Sequence, residues 1–174
     1  MIRLKIVILL IFLSMITLSF KLISDSKIKV SNDTQIVNTF KFDSDVSSMK
    51  LYFCIEKYSK EYNIPSGYLY SIAYHETKYS GPNNFHYTPI HISSGNAYGP
   101  MQVVLSTAKM FDKNITKEEL LLDIDSNVKI SAKLLRHLYN KYGDWEIVIG
   151  AYGTGYPIRD SYSQFVKKKT FEWE

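Results

Sequence analysis

The sequence is poor in cysteine, glycine and proline. Cys54 is the only cysteine among the 174 residues, so no disulfide can form within the chain. We expect Cys54 to be a small buried hydrophobic side chain on a helix. Eight glycines and five prolines are too few for a collagen-like or low-complexity protein. The rest of the composition, 45% hydrophobic and 22% charged, is that of one globular domain.

Residues 1–21 lack acidic side chains, and this accounts for most of the net charge of +4. They include Arg3, Lys5 and Lys21, whereas basic and acidic residues nearly balance over the rest of the chain. The net charge is therefore no sign of a nucleic-acid partner. The basic run Lys167–Lys169 is also too short to be a nucleic-acid footprint.

The N-terminus has the organisation of an export signal. Two positive charges in Met1–Lys5 precede the uncharged, largely apolar run Ile6–Phe20, which is typical of secretory signals. We predict that residues 1–21 form an apolar helix, either a cleaved signal peptide or a retained inner-membrane anchor, with the charged end cytoplasmic. The remainder would be exported to the periplasm or cell envelope. A buried core helix is a weaker interpretation, because the flanking charges suit membrane insertion.

The rest of the chain divides into a linker and one domain. Residues 22–45 are rich in Ser, Asp, Asn, Lys and Thr without a sustained apolar period, and are predicted to be a polar linker. Residues 46–174 are predicted to form a mainly α domain, because apolar side chains recur in them at helical spacing. The spacing predicts helices that carry, in order, Leu51–Tyr62, Leu69–Glu76 (opened by Pro65), Val128–Tyr142, Trp145–Tyr152 and Ser161–Lys169.

Turn and capping signals separate these helices. Residues 79–100 contain three glycines and three prolines and are predicted to be loop or short irregular strand. Thr116 and Glu119 have the spacing of a capping box. Asp125 is expected to cap the longest helix, Gly143 to end it, and Asp144 to cap the helix that follows.

Glu76 is the strongest candidate for chemistry. It continues the apolar stripe of Leu69, Ile72 and Ala73, so its carboxyl group should face the domain interior or a cleft. Burial disfavours the charged form of a carboxyl group, and a carboxylic acid that keeps its proton near neutral pH can protonate a leaving group. The alternative is a solvated glutamate at the helix end, paired with Lys78.

Other catalytic motifs are missing from the sequence. The pair His75-Glu76 lacks the second histidine of a zinc-protease helix, because Tyr79 stands at that position. The other histidines do not have metal-ligand spacing. There is no G-x-S-x-G elbow, and no glycine-rich dinucleotide loop follows a predicted strand. We therefore expect neither a metal nor another cofactor.

Four short motifs follow one another along about residues 58–156. They are Ile64-Pro65 with Leu69, Ile72-Ala73 and Glu76-Thr77; Gly99-Pro100-Met101-Gln102 followed by Ser106-Thr107-Ala108; Asp125, Asn127, Ala132 and Leu135; and Ala151-Tyr152-Gly153-Thr154-Gly155. In this order they resemble the glutamate helix, the G-x-M-Q … T-A segment, the long-helix pattern and the A-Y-N-x-G signature of lytic transglycosylases of the soluble, goose-lysozyme-like type. Each motif is weak alone, but their ordered combination is specific.

The resemblance implies an α-helical lysozyme-like fold with a catalytic cleft that cleaves the glycan strands of bacterial peptidoglycan. It implies that Glu76 protonates the glycosidic oxygen between N-acetylmuramic acid and N-acetylglucosamine. As a carboxylate, Glu76 would then take the proton of the muramoyl 6-hydroxyl while a 1,6-anhydro ring closes. Ordinary glycosidases need a second carboxylate. None stands out here, because Asp112, Asp123, Asp125 and Asp144 have the sequence contexts of caps or loops.

The resemblance also implies substrate-binding roles for five residues. Met101 and Gln102 would line the cleft beside Glu76, and Tyr152 would lie close to the acid. Ser94 matches a serine that precedes the G-x-M-Q segment. Tyr98, like Tyr79, can offer an aromatic face to a sugar ring.

Three departures from the family pattern accompany the resemblance. Gly153 stands where A-Y-N-x-G has asparagine, which removes an amide. The long interval from Glu76 to Gly99 implies a larger cleft loop, and Ser131 and Leu134 replace the usual Gly and Tyr. Two alternatives stay open: a hydrolytic lysozyme on the same scaffold, with water as the attacking group, and a non-catalytic peptidoglycan-binding or envelope-assembly protein.

Overall fold

The computed structural model describes residues 44–170 and 172–173. The predicted signal or anchor at 1–21, and all but the last two residues of the predicted linker at 22–45, lie outside the described residues. The described part is mainly helical, which confirms the predicted fold class for that part. Its elements are α1 (Ser44–Glu61), α2 (Ser66–Thr77), β1 (Ala97–Tyr98), β2 (Val103–Val104), α3 (Leu105–Ala108), α4 (Lys117–Leu122), α5 (Ile124–Tyr142), α6 (Trp145–Thr154) and α7 (Ser161–Thr170).

The first two helices follow the predicted apolar stripes. On α1 the side chains of Leu51, Ile55 and Tyr58 are fully or almost fully buried. α1 begins at Ser44, two residues before the predicted domain start. Pro65 is the N-cap of α2 rather than its first helical residue. No helix in the described part of the chain is long and apolar enough to cross a membrane.

Residues 78–104 contain little regular structure. β1 and β2 form a two-stranded antiparallel sheet in which Ala97 pairs with Val104 and Tyr98 with Val103. The remainder of the segment is turn and loop, which confirms the prediction for residues 79–100. The turn between the strands, residues 99–102, lies against the helices and becomes part of the candidate site.

The long helix α5 is the centre of the packing. It contacts α1 on one side and α6 on another, while α7 packs against both α2 and α6. Val128, Ser131 and Leu135 of its predicted stripe are buried, whereas Leu134 and Leu138 are partly exposed. Cys54 is buried on α1, as predicted. Burial, together with the charge of Asp125 on α5, raises the pKa of its thiol to about 12.

The helix caps agree with the sequence except at the start of α5. Thr116 and Glu119 form the predicted capping box. Gly143 ends α5 at a φ of 69°, and Asp144 caps α6 by accepting the backbone N–H groups of Glu146 and Ile147.

The prediction that Asp125 caps α5 is wrong. The helix begins at Ile124, so Asp123 is the N-cap and accepts the backbone N–H groups of Asp125 and Ser126. Asp125 lies in the first turn, where it accepts hydrogen bonds from Tyr58 Oη at 2.6 Å and Lys57 Nζ at 3.2 Å. Asp125 therefore joins α5 to α1.

The pKa values of Asp123, Asp125 and Asp144 lead us to expect a loss of stability in acid. Hydrogen bonds from the backbone of Ile147 and from Arg159 lower the pKa of Asp144 below 3.8. Burial would raise the pKa values of Asp123 and Asp125, but hydrogen bonds from Ser126 and Lys50, and from Tyr58 and Lys57, outweigh it and lower both. A lowered folded pKa stabilises the fold above the unfolded value and loses that contribution as the pH falls through the folded value.

We therefore expect the free energy of unfolding to fall as the pH decreases below about 4. Asp144→Asn keeps a good capping residue but loses the charge, so its free energy of unfolding should decline less steeply with acid. Urea unfolding between about pH 2 and 6 measures the slopes. Glu118→Gln, at an exposed position on α4, is the matched control. Equal slopes for Asp144→Asn and the wild type would contradict this account.

Candidate active site

Glu76 is the penultimate residue of α2. The helix ends because Lys78 adopts a left-handed conformation, with φ 65°, and its backbone N–H bonds the carbonyl of Tyr74. Between them, Thr77 Oγ1 shares its proton between the carbonyl of Ala73 in the preceding turn, at 3.0 Å, and the carbonyl of Pro100, at 3.1 Å. The bond to Pro100 fixes the end of α2, and with it Glu76, against the turn at residues 99–102.

Asn127, on α5, also holds the turn at residues 99–102. It is 0% exposed; its Oδ1 accepts the backbone N–H of Met101 at 2.9 Å, and its Nδ2 donates to the carbonyls of Tyr98 and Leu120, both at 2.8 Å. One amide thus satisfies two backbone groups at the turn, those of Tyr98 and Met101, and joins them to the carbonyl of Leu120 in α4. Buried backbone groups need such partners, so Asn127 determines the path of the turn.

Gly99 permits this close approach. Its φ is 73°, and a Cβ at this position would lie 2.3 Å from the carbonyl oxygen of Leu120 and 2.6 Å from Asn127 Nδ2. Both distances are far below van der Waals contact, and the positive φ disfavours any side chain. Glycine is therefore required where the turn begins.

Tyr152 of α6 supplies a third anchor. Its hydroxyl donates to the carbonyl of Met101 at 2.6 Å and lies 3.2 Å from Ser131 Oγ. Burial raises the pKa of Tyr152 above its ordinary value, and the charge of the neighbouring Glu76 acts in the same direction. The hydroxyl therefore remains a donor, and helices α2, α5 and α6 all hold the turn beside Glu76.

The side chain of Glu76 is partly buried, with 21% of its surface exposed. Its Oε1 accepts a hydrogen bond from Tyr162 Oη of α7 at 2.8 Å. His75 Nδ1 lies 3.4 Å from the same oxygen, without the geometry of a hydrogen bond, and its ring meets that of Tyr162 edge-on. Lys78 donates instead to the carbonyl of His75. The solvated pair of Glu76 with Lys78 is therefore not what the structure contains.

Two of the predicted substrate-binding residues belong to the turn itself. Gln102 has a φ of 49°, and its Nε2 donates to the carbonyls of Gly99 and His91 at 2.8 and 3.0 Å. Its Oε1 is buried and has no hydrogen-bond partner within the described residues. The side chain of Met101 is fully buried. Met101 therefore contributes to the site through its backbone and not through its thioether.

The other predicted residues lie in different surroundings. Ser94 is exposed in the loop before β1. Tyr98 and Tyr79 are 5% and 0% exposed and pack in the hydrophobic core. Their rings have no free face for a sugar, so we do not include them in a sugar-binding surface.

A groove continues from Tyr152 along the ends of α5 and α6. It has a volume of about 400 Å³ and combines apolar and polar lining groups. Leu134 and Leu138 form one wall, which explains why this part of the predicted stripe is not fully buried. The other lining residues are Val104, Thr107 and residues 151–155.

Tyr162 and Thr77 are the site residues that sequence reasoning missed. Tyr162 contacts Glu76 across 86 positions of sequence, and no local motif marks it apart from its place at the start of the predicted last helix. Thr77 follows the candidate glutamate directly, so its role in tying α2 to the turn could have been considered from that position.

No second free carboxylate competes with Glu76 among the four aspartates considered from sequence. Asp112 Oδ1 accepts the backbone N–H of Asn114 in a turn. Asp123 and Asp144 are helix caps, and Asp125 binds Tyr58 and Lys57. Among the described residues there is also no cluster of three His, Cys, Asp or Glu side chains that could hold a metal ion.

Comparison with known proteins gives the family of the chain. A search of curated proteins found no match. The family model described as the transglycosylase SLT domain matches residues 53–172, a span that begins in α1 and includes Glu76, the turn at 99–102, Tyr152 and Tyr162. The match covers well over half of the chain, which therefore belongs to the transglycosylase SLT family of peptidoglycan lytic transglycosylases.

Proposed function

We propose that this protein cleaves the bond between N-acetylmuramic acid and N-acetylglucosamine in peptidoglycan and leaves 1,6-anhydromuramoyl ends, with Glu76 as the catalytic residue. The observation that carries the proposal is the environment of Glu76. Its side chain is partly buried, its carboxyl group accepts a hydrogen bond from the Tyr162 hydroxyl, and it lies beside a turn that three helices hold. The family match supports the glycan substrate.

In the first step Glu76 acts as a general acid. The protonated carboxyl group donates its proton to the glycosidic oxygen while the bond from that oxygen to the anomeric carbon of the muramoyl residue breaks. Positioned proton transfer of this kind contributes roughly a hundredfold to ten-thousandfold to a rate. The leaving glycan takes the proton as a new hydroxyl group, and Glu76 becomes a carboxylate.

In the second step the same group acts as a general base. The carboxylate accepts the proton of the muramoyl 6-hydroxyl as that oxygen bonds to the anomeric carbon. Glu76 is returned to its acid form, and no water is consumed. Neither step needs a second carboxylate, which fits the structural use of the four aspartates as caps, turns and an interhelical bond.

We also propose that Gln102 and Tyr152 contribute to the substrate-binding surface. Gln102 is partly exposed in the turn that packs against the end of the Glu76 helix, which is the observation that supports its place in this surface. Tyr152 borders the groove that runs on from the site. Because Ser94 is exposed in the loop before β1, we keep it as a substrate contact to be tested.

The proposed substrate also indicates the compartment in which the protein acts. Peptidoglycan lies outside the cytoplasmic membrane, so we propose that the chain is exported to the periplasm or cell envelope. The charged and then apolar sequence of residues 1–20 would direct this export, either as a cleaved signal or as an anchor.

Digestion of purified peptidoglycan tests the proposal. Fragments released by the wild-type protein should carry anhydromuramoyl ends, which are lighter than reducing ends by one water molecule and are separated by mass spectrometry. Reducing ends would identify a hydrolytic lysozyme instead. Release of no fragments by a folded protein would favour a non-catalytic peptidoglycan-binding role.

A further inference from the structure

The carboxyl group of Glu76 depends on a tyrosine from the last helix. Tyr162 is the second residue of α7 and donates to Glu76 Oε1 at 2.8 Å. Burial raises the pKa of Tyr162 well above its ordinary value, and the charge of Glu76 raises it further. The hydroxyl therefore stays protonated and can only donate toward the carboxylate.

Gly153 on α6 makes room for that tyrosine. A Cβ at position 153 would lie 2.6 Å from Cδ1, 2.8 Å from Cε1 and 3.2 Å from Cγ of Tyr162. Contacts this short force the ring to move. The A-Y-N-x-G signature has asparagine at this position, whose side chain is larger than the methyl group that already clashes.

We propose that Gly153 and Tyr162 are a coupled pair of positioning residues for Glu76: the glycine leaves a space, the tyrosine ring fills it, and the tyrosine hydroxyl fixes Oε1. Glu76 Oε2 is then the oxygen that carries the proton to the glycosidic bond. This inference rests on the proposed function of Glu76. It also gives a function to the glycine at position 153, where the family signature has asparagine. The side chain of Tyr162 from α7 occupies the space that the asparagine amide would fill.

The chemistry favours a donor at this position. As Glu76 releases its proton, negative charge develops on the carboxyl group, and a fixed donor stabilises that charge in the transition state. Removing one hydrogen bond to a charged group corresponds to a rate loss of about tenfold to a hundredfold. Because Tyr162 touches the carboxyl group rather than the glycan in this proposal, kcat should fall while KM stays nearly constant.

Tyr162→Phe is the first test, because it keeps the ring and removes only the hydroxyl. Using purified glycan fragments, we expect kcat to fall about tenfold to a hundredfold. The alkaline limb of the kcat profile should move to higher pH, because the carboxylate has lost a donor. His75, whose Nδ1 lies 3.4 Å from the same oxygen, and Tyr152 also face Glu76 and are kept in every variant. Tyr156→Phe, at an exposed tyrosine, is the matched control.

Gly153→Ala and Gly153→Asn test the coupling. Each should lower kcat by a similar factor by displacing the ring. In the Tyr162→Phe background, Gly153→Ala should lower kcat by less than about twofold, because coupled residues are not additive. If the two residues acted independently, the decreases in kcat caused by Gly153→Ala and Tyr162→Phe would multiply in the double variant. Thermal unfolding checks that each variant is folded at the assay temperature, and if Gly153→Ala is not, the pH profile of Tyr162→Phe decides.

Two outcomes would contradict the proposal that Gly153 and Tyr162 together position Glu76. Both can be distinguished from failure of the proposed function. Wild-type kcat and an unchanged pH profile in Tyr162→Phe, or full activity in Gly153→Asn, would contradict the inference if Glu76→Gln is inactive. If Glu76→Gln itself keeps wild-type activity, the catalytic assignment fails and the pair fails with it.

Discussion

Glu76→Gln should lower the release of fragments from peptidoglycan by about a hundredfold to ten-thousandfold, the range in which a general acid contributes. Glutamine has nearly the same shape, and its amide oxygen can still accept the hydrogen bond that Tyr162 gives to Oε1 in the wild type. It has no proton to donate to the glycosidic oxygen and no carboxylate to receive one. The variant therefore removes both proposed proton transfers and leaves the packing in place.

The measurement is the initial rate of soluble fragment release, with thermal unfolding as a test of folding. The free energy of unfolding should change by no more than about 1 kcal/mol, because no buried contact is lost. Glu118→Gln, the same substitution at an exposed position on α4, should keep the wild-type rate. A folded Glu76→Gln protein that releases fragments as fast as the wild type would remove Glu76 from the mechanism.

The second large effect is expected at Asn127, on stability as well as on activity. Asn127→Ala removes three buried hydrogen bonds at once and leaves the N–H of Met101 and the carbonyls of Tyr98 and Leu120 without their partner. Unsatisfied buried groups are costly, so we expect a loss of about 3 to 5 kcal/mol in the free energy of unfolding. The turn that carries Gln102 should also lose its position beside Glu76.

Urea unfolding gives the stability change, and fragment release at a temperature where the variant remains folded gives the activity. Asn140→Ala is the matched control, because Asn140 is exposed on the same helix; it should change the free energy of unfolding by less than about 0.5 kcal/mol. A loss below about 1 kcal/mol in Asn127→Ala would show that the turn is held by its other contacts, chiefly Thr77 and Tyr152.

The helices and most of their caps could be predicted from the sequence, because both depend on neighbours a few positions apart. The stripe through Leu69, Ile72 and Ala73 predicted the helix that carries Glu76, and the spacing of Thr116 and Glu119 predicted a capping box. The error at Asp125 has a local cause. Two aspartates flank the start of α5, and only the backbone geometry at Ile124 selects Asp123 as the cap.

The environment of the acid could not be predicted in this way. Tyr162 reaches Glu76 only because α7 packs against both α2 and α6, and no periodic pattern encodes a contact between such distant positions. The burial of Tyr79 and Tyr98 could not be predicted for the same reason. Tyr79 and Tyr98 lie in a segment without a repeating period, so their burial follows from packing that the sequence does not display.

The central claim is that the muramoyl 6-hydroxyl, and not water, attacks the anomeric carbon. Digestion of purified peptidoglycan in water labelled with heavy oxygen tests this most directly, with mass spectrometry of the released fragments. We expect anhydromuramoyl ends with no heavy oxygen, because the oxygen that leaves the anomeric carbon and the oxygen that replaces it both come from the glycan. Incorporation of one heavy oxygen at each newly formed reducing end, by wild-type protein and not by Glu76→Gln, would contradict it and show hydrolysis.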